Sequence, residues 1–447
     1  MAKIKLVVSA TIEEAFSDFI ISKKAKGLAE KTLQSYQRDL FPSVTSSQKR
    51  EEIGLKHNLP AQVICAIVNT RKEAMNVKIL FINLPYHGHL IPTIGLVQAL
   101  IKAGHQVTYL TPHDWEERIA DSDAEFLGYE NNPKLDKQIR NAFFKAEEVI
   151  ASHDLVLYEQ FFFVGKHLAE KHGKKCVRIF TAPATNKELM RAFISSGGPM
   201  GIFRVPLVGT LWTQDCVKDL GIRLQCRNWL DEIVENPPDC NLVYTPRSFQ
   251  PFSEDFPEAQ FHFIGPSVYD RKEEEFPALS KPVIYISIGT ILKGGENFFR
   301  ACLEAFEKEK VTVILSVGNF DISRLKHIPE NFVIRNRVPQ IAVLKQADLF
   351  ITHGGMNSVS EAMVHGVPMV VIPFVSDQPV NARQVEKMGL GKVLDYKGVT
   401  ADTLRDAAFV VMEDRQIQEN LRKIQEEIAC APGNAGMVGI IETYSQR

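Results

Sequence analysis

From residue 77 onward the chain repeats one pattern: a short apolar run, a turn, then an amphipathic stretch. Residues 77–84 (VKILFINL) are almost continuously apolar, as expected of a strand buried on both faces. The spacing then predicts a compact turn at Tyr86-His87-Gly88-His89, a helix over 91–102 stopped by Gly104, and a strand over 106–111. Such a unit implies parallel strands with a right-handed crossover. Residues 155–158 and 177–180 read as further strands of the same sheet, with a helix over 163–172 between them. After a charged, proline-flanked stretch at 270–282 the pattern restarts. Strands are expected at 283–290, 311–317, 348–352 and 369–373, with a helix over 296–308. Two doubly wound α/β halves facing across a cleft follow from this, at 75–275 and 276–447.

Residues 1–74 stand apart. They carry 12 basic and 8 acidic side chains, a net of +4, while the whole chain of 447 residues has a net charge of −2. Two helices are expected there: one capped by Thr11, with Phe16, Phe19 and Ile20 on one face, and another through Leu33, Tyr36 and Leu40. Pro42 and a Ser/Thr cluster then read as linker. The near balance of charge gives no bulk reason for binding nucleic acid or an anionic membrane. No apolar run reaches the roughly 20 residues that span a bilayer. The basic start meets acidic residues too early for a secretory signal. The seven cysteines (Cys65, Cys176, Cys216, Cys226, Cys240, Cys302, Cys430) are scattered and never form a CxxC pair. A cytoplasmic protein without structural zinc is the expectation.

The densest chemical signal is Thr352-His353-Gly354-Gly355-Met356-Asn357-Ser358, continuing through Glu361 to Gly366-Val367-Pro368. A strand ends at Thr352, two glycines allow close approach of a ligand, and a helix opens near Met356. Free N–H groups and the positive end of the helix would suit a phosphate. A Gly-rich connection with an ordinary capping residue accounts for the spacing equally well. Asp377-Gln378 follows the next strand, and Ser287, Gly289 and Thr290 end the first strand of this half. All should open at the same carboxyl edge. In the first half, His87 and His89 share one turn. Spacing alone leaves either as a base, or both as polar loop residues.

From residue 77 to the end, the chain resembles the nucleotide-sugar-dependent glycosyltransferases of the GT-B fold. It is most similar to the bacterial macrolide and flavonoid group of family 1 UDP-glycosyltransferases. The resemblance rests on Arg337-Val338-Pro339-Gln340 and on the long run from Thr352 through Gln378 to Val385. It implies inverting transfer of a hexose, with UDP-glucose the expected donor and a small apolar hydroxyl compound the acceptor, and with no cofactor or metal. Arg337, Val338 and Gln340 would hold the base. Thr290, His353, Gly355, Asn357 and Ser358 would hold the diphosphate, Glu361 the ribose, and Asp377 with Gln378 the sugar. His89 would be the general base.

Two positions depart from the family. Plant members carry Trp where this chain has Arg337, which opens the choice of base to a TDP-deoxysugar, for transfer or epimerisation. The usual Asp partner of the histidine is here Glu159, whose extra methylene leaves two readings, an orienting carboxylate or a solvated strand end. Other features read as bland. Asp121-Ser122-Asp123 is expected to be a turn rather than a metal site. Phe161-Phe162-Phe163 reads as core with one ring free to touch an acceptor, and residues 189–212 as a loop where acceptor choice resides. Residues 11–40 resemble the first helices of the core-binding domain of phage-type tyrosine recombinases, and residues 51–69 loosely resemble a helix-turn-helix. That resemblance allows a DNA-binding segment fused to a sugar-nucleotide sensor; solvated helices left by a gene fusion account for it as well.

Overall fold

The computed structural model describes residues 76–195, 202–203, 205–267, 275–289 and 295–446. The chain divides into Met1–Met75 and Asn76–Arg447. The helical and recombinase-like features expected over 1–74, and Thr290, lie outside the described residues.

The first sheet has seven parallel strands: β1 (Lys78–Ile82), β2 (Gln106–Pro112), β3 (Glu125–Tyr129), β4 (Leu155–Glu159), β5 (Lys175–Phe180), β6 (Cys240–Val243) and β7 (Phe261–Phe263). Their order is β3-β2-β1-β4-β5-β6-β7. The second sheet contains β8 (Val283–Ser287), β9 (Thr312–Ser316), β10 (Phe332–Arg335), β11 (Leu349–Thr352), β12 (Met369–Val371) and β13 (Gly391–Val393). It is ordered β10-β9-β8-β11-β12-β13, again parallel. Helices flank these sheets, so the central strands are buried on both faces. Ile79, Leu80, Phe81 and Ile82 of β1 are wholly buried, as are Leu349, Phe350 and Ile351 of β11. This burial is why these strands show unbroken apolar runs instead of alternation. Each sheet anchors its own large core. The two Rossmann-like halves expected from the pattern are therefore present.

In each sheet the strand order reverses between the first strand and its central neighbour, β1 and β4 in one, β8 and β11 in the other. Ligand crevices form at such reversals, beyond the carboxyl ends of the strands. The last helix, Gly433–Gln446, packs on the His87–Lys102 helix of the first half, although it follows the second sheet in sequence. Lys175 Nζ caps it by donating to the carbonyls of Tyr444 and Ser445, each at 3.2 Å.

Three local expectations change. The first helix begins at His87 and not near residue 91; the amides of His89 and Leu90 both bond the Tyr86 carbonyl at 2.9 Å. Pro92 lies inside the helix, where its missing N–H costs one bond. The segment expected to be a loop at 189–212 is largely helical where described, in Lys187–Ser195 and Pro206–Val217. Asn186 Oδ1 accepts from Leu189 N at 2.8 Å and Pro206 occupies a first-turn position, two start signals outweighed by the intervening glycines. Strands β6, β7, β10 and β13 are too short, three or four residues each, for periodicity to reveal.

Candidate active site

The His87–Lys102 helix starts directly beyond β1, so His89 sits in its first turn at the reversal point of the first sheet. Glu159 is the last residue of β4, one strand away. The extra methylene is accommodated: His89 Nδ1 lies 2.8 Å from Glu159 Oε1. A carboxylate can only accept, so Nδ1 carries the proton and Nε2 keeps its lone pair. Glu159 is fully buried while the His89 side chain is 21% exposed, so the pair is anchored inside and open at one end. The second Glu159 oxygen accepts from Phe161 N at 3.0 Å. Burial disfavours the imidazolium, but the charge and hydrogen bond of Glu159, with the charge of Asp377, outweigh it and raise the His89 pKa above 6.5. The solvated strand end expected as the alternative for Glu159 is not what the structure shows.

Asn83 supports this turn from below and was not singled out from sequence. Its Nδ2 donates to the His89 carbonyl at 3.2 Å and to Tyr109 Oη at 3.0 Å, and Tyr109 in turn meets Thr93 Oγ1 at 2.7 Å. The available signal was one amide within the apolar run VKILFINL.

His353, directly after β11, is half-buried and packed closely against two glycines. A Cβ on Gly355 would come 2.6 Å from its Nε2, and one on Gly289 would come 3.0 Å from the same ring. Burial lowers its pKa below 6.5, against the opposing influence of Asp377 and the Ser287 carbonyl, so the ring is held neutral. The Met356–His365 helix then begins with Gly355 as its cap residue and no side chain capping it. Asn357 and Ser358 fall in its first turn, and the backbone N–H groups there are the ones a helix leaves without internal partners. A Cβ on Gly88 would lie 4.0 Å from Asn357 Nδ2, so the N-termini of two helices, one from each half, meet across the cleft.

A cavity of about 1060 Å³ runs between the halves. Of the expected residues, His89, Arg337, Val338, Gln340, His353, Gly355, Asn357, Ser358, Glu361, Asp377 and Gln378 all line it. Gln340 accepts from Tyr285 Oη at 3.0 Å and donates to Glu361 Oε2 at 2.6 Å, fixing that carboxylate. Asn381, absent from the sequence-based set, donates to Asp377 Oδ2 at 2.8 Å and to the Gly354 carbonyl at 2.9 Å. Gln378 Oε1 accepts from the amides of Phe374 and Val375, holding its own loop. On the other side, Phe161, Phe193, Leu189 and Met190 supply an apolar wall, with the Phe161 ring 5.0 Å from that of His89. Phe162 and Phe163 are core. The turn expected at Asp121-Ser122-Asp123 is observed: Ser122 Oγ donates to the Ile119 carbonyl at 2.6 Å, and Asp123 has φ 60°. No group of three or more metal-binding side chains occurs among the described residues. No helix among them is long and apolar enough to cross a membrane.

Residues 301–443 match the family model of the erythromycin biosynthesis protein CIII-like C-terminal domain. The chain is 35% identical to an NDP-glycosyltransferase of Bacillus licheniformis, over 82% of this chain and 97% of that relative. It is 31% identical to the protein described as the uncharacterized UDP-glucosyltransferase YojK of Bacillus subtilis, covering 83% of this chain and 98% of that one. Among solved structures, the calicheamicin glycosyltransferase CalG4 superimposes with a TM-score of 0.71 at 28% identity, over 83% of this chain and 99% of CalG4.

Proposed function

Because the chain belongs to the family 1 glycosyltransferases of the GT-B fold, which act on nucleotide-sugar donors, we propose that it transfers glucose from UDP-glucose to the hydroxyl of a small apolar acceptor. The observation that carries this is the His89–Glu159 pair, set at 2.8 Å and opposite an uncapped helix N-terminus in one cleft.

In this reading the acceptor hydroxyl gives its proton to His89 Nε2 while its oxygen attacks the anomeric carbon. The bond from that carbon to the diphosphate breaks, and its electron pair leaves with UDP. Glu159 stabilises the imidazolium as it forms and holds the ring in the productive tautomer. Negative charge growing on the diphosphate meets the free N–H groups of residues 356–358, the side chains of Asn357 and Ser358, and neutral His353 as a donor. Thr290 completes that set. Arg337, Val338 and Gln340 hold the base, with the Arg337 plane stacking on it. Glu361 holds the ribose, and Asp377 with Gln378 reads the sugar hydroxyls. Attack from the face opposite the diphosphate inverts the anomeric centre, and the reading needs no metal.

UDP-glucose is favoured by Gln378, which resembles the family's glucose-associated residue, and by the description of the Bacillus subtilis relative. A TDP-deoxysugar is the second reading, favoured by Arg337 in place of an indole. The preorganised base argues against a silent sensor fused to a DNA-binding segment. The test is product analysis by proton NMR after incubation with UDP-glucose and phenolic alcohols. A β-glucoside supports the proposal; an α-glucoside, or transfer only from TDP-sugars, sinks it.

A further inference from the structure

The first-half wall of the cleft contains, among the described residues and setting aside its histidines, a single charged side chain, Arg118. It lies on the short Glu116–Ala120 helix that follows β2, at the same sheet edge as His89 and Glu159. Acidic residues Asp114, Glu116, Glu117 and Asp121 are close in sequence, and no ion pair links Arg118 to any described carboxylate. Its guanidinium carbon lies 5.8 Å from the centroid of the Trp115 ring. Its Nη1 lies 3.3 Å from His87 Nε2. Arginine has no lone pair to offer, so Nη1 donates and His87 Nε2 accepts. His87 and Trp115, rings 6.1 Å apart, flank this exposed cation at the mouth of the cleft and leave most of its N–H groups unused.

Burying an acceptor against such a cation strips water from it, which is costly unless the acceptor supplies an opposite charge. A planar guanidinium with parallel donors fits a carboxylate in particular. The negative charge of the donor has its own receptors on the second half, and the acids lining the cleft, Glu361 and Asp377, also belong to that half.

We propose that the acceptor is an apolar hydroxyl compound carrying a carboxylate remote from the glycosylated hydroxyl, and that Arg118 binds that carboxylate. The inference rests on the transfer reading for the hydroxyl and adds the second functional group. The experiment compares 4-hydroxyphenylalkanoic acids of graded chain length with their methyl esters, as acceptors and, with UDP present, as ligands by calorimetry. For the best length, the acid should exceed its ester about 10- to 100-fold in kcat/KM and in affinity, the range of a charge-assisted hydrogen-bond pair. Arg118→Met should bring that ratio close to one and Arg118→Lys should keep part of it, the ester reporting in each case that the variant is folded. Acid and ester within about twofold at every length would overturn the proposal, as would a preference that survives in Arg118→Met. A fall in UDP affinity with an unchanged acid-to-ester ratio would also overturn it, assigning Arg118 to the donor. Carboxylate-dependent binding that Arg118→Met abolishes, without transfer from UDP-glucose, would uphold this inference and sink the UDP-glucose reading instead.

Discussion

Replacing Glu159 by Gln probes the proposed chemistry with one atom changed. Glu159 accepts twice, from His89 Nδ1 at 2.8 Å and from Phe161 N at 3.0 Å. A glutamine amide has one acceptor, so one contact must become donor to donor unless something moves. If its oxygen stays on Phe161 N, its NH₂ group faces Nδ1 and forces the proton onto Nε2, where the acceptor proton must go. If the oxygen stays on Nδ1, the Phe161 amide loses its partner and the imidazolium loses its counter-charge. Breaking a buried charged pair from one side costs about 3–5 kcal/mol. At about 1.4 kcal/mol per decade this is a loss of two to four orders of magnitude in kcat/KM.

The pH profile gives an independent sign. A base must be unprotonated to act, so the wild-type rate should climb with pH through the raised His89 pKa, above 6.5. Glu159→Gln removes the main upward influence and leaves burial opposing the charge, so the acid limb should move to lower pH while the plateau falls. Steady-state rates of UDP release at saturating donor, measured from pH 5 to pH 9 as a chosen range, supply both readouts. A plateau within about threefold of wild type, or a limb that stays in place, would refute the role given to Glu159.

Other expectations follow from packing. Gly355→Ala places a Cβ where His353 Nε2 would be 2.6 Å away, so UDP should bind at least about tenfold more weakly by calorimetry, about 1.4 kcal/mol, with little change in melting temperature. Phe161→Ala removes an aromatic ring from the apolar wall of the cleft, worth about 2 kcal/mol, so KM for an apolar acceptor should rise about 30-fold while UDP affinity holds. Phe350→Ala deletes a wholly buried ring stacked on Tyr285 at 4.7 Å. It should destabilise the second half by about 3–5 kcal/mol, read as a lowered urea midpoint by circular dichroism.

The central strands were legible in sequence because parallel strands covered on both faces must be apolar throughout, and β1, β4, β8 and β11 meet that demand in five or fewer residues each. The edge strands were not, since Phe261–Phe263 and Gly391–Val393 are too short to establish any period. The loop from Thr352 to Ser358 was readable because its residues are contiguous from strand end to helix start. His89 and Glu159 lie 70 residues apart, and only strand order brings them together, so their pairing had to come from resemblance. Asn83, Asn381 and Arg118 were missed for a related reason: each meets a partner distant in sequence, Tyr109, Gly354 and His87 respectively.

In the proposed reaction one cleft binds a nucleotide sugar on its second half and activates an acceptor with His89 on its first. The most direct test is UDP release from UDP-glucose with and without a phenolic acceptor, comparing wild type with His89→Ala, alongside UDP affinity by calorimetry. Acceptor-dependent release should fall at least about a hundredfold in His89→Ala, with UDP affinity kept. Release that persists in the variant, or UDP binding lost together with it, would overturn the role given to His89.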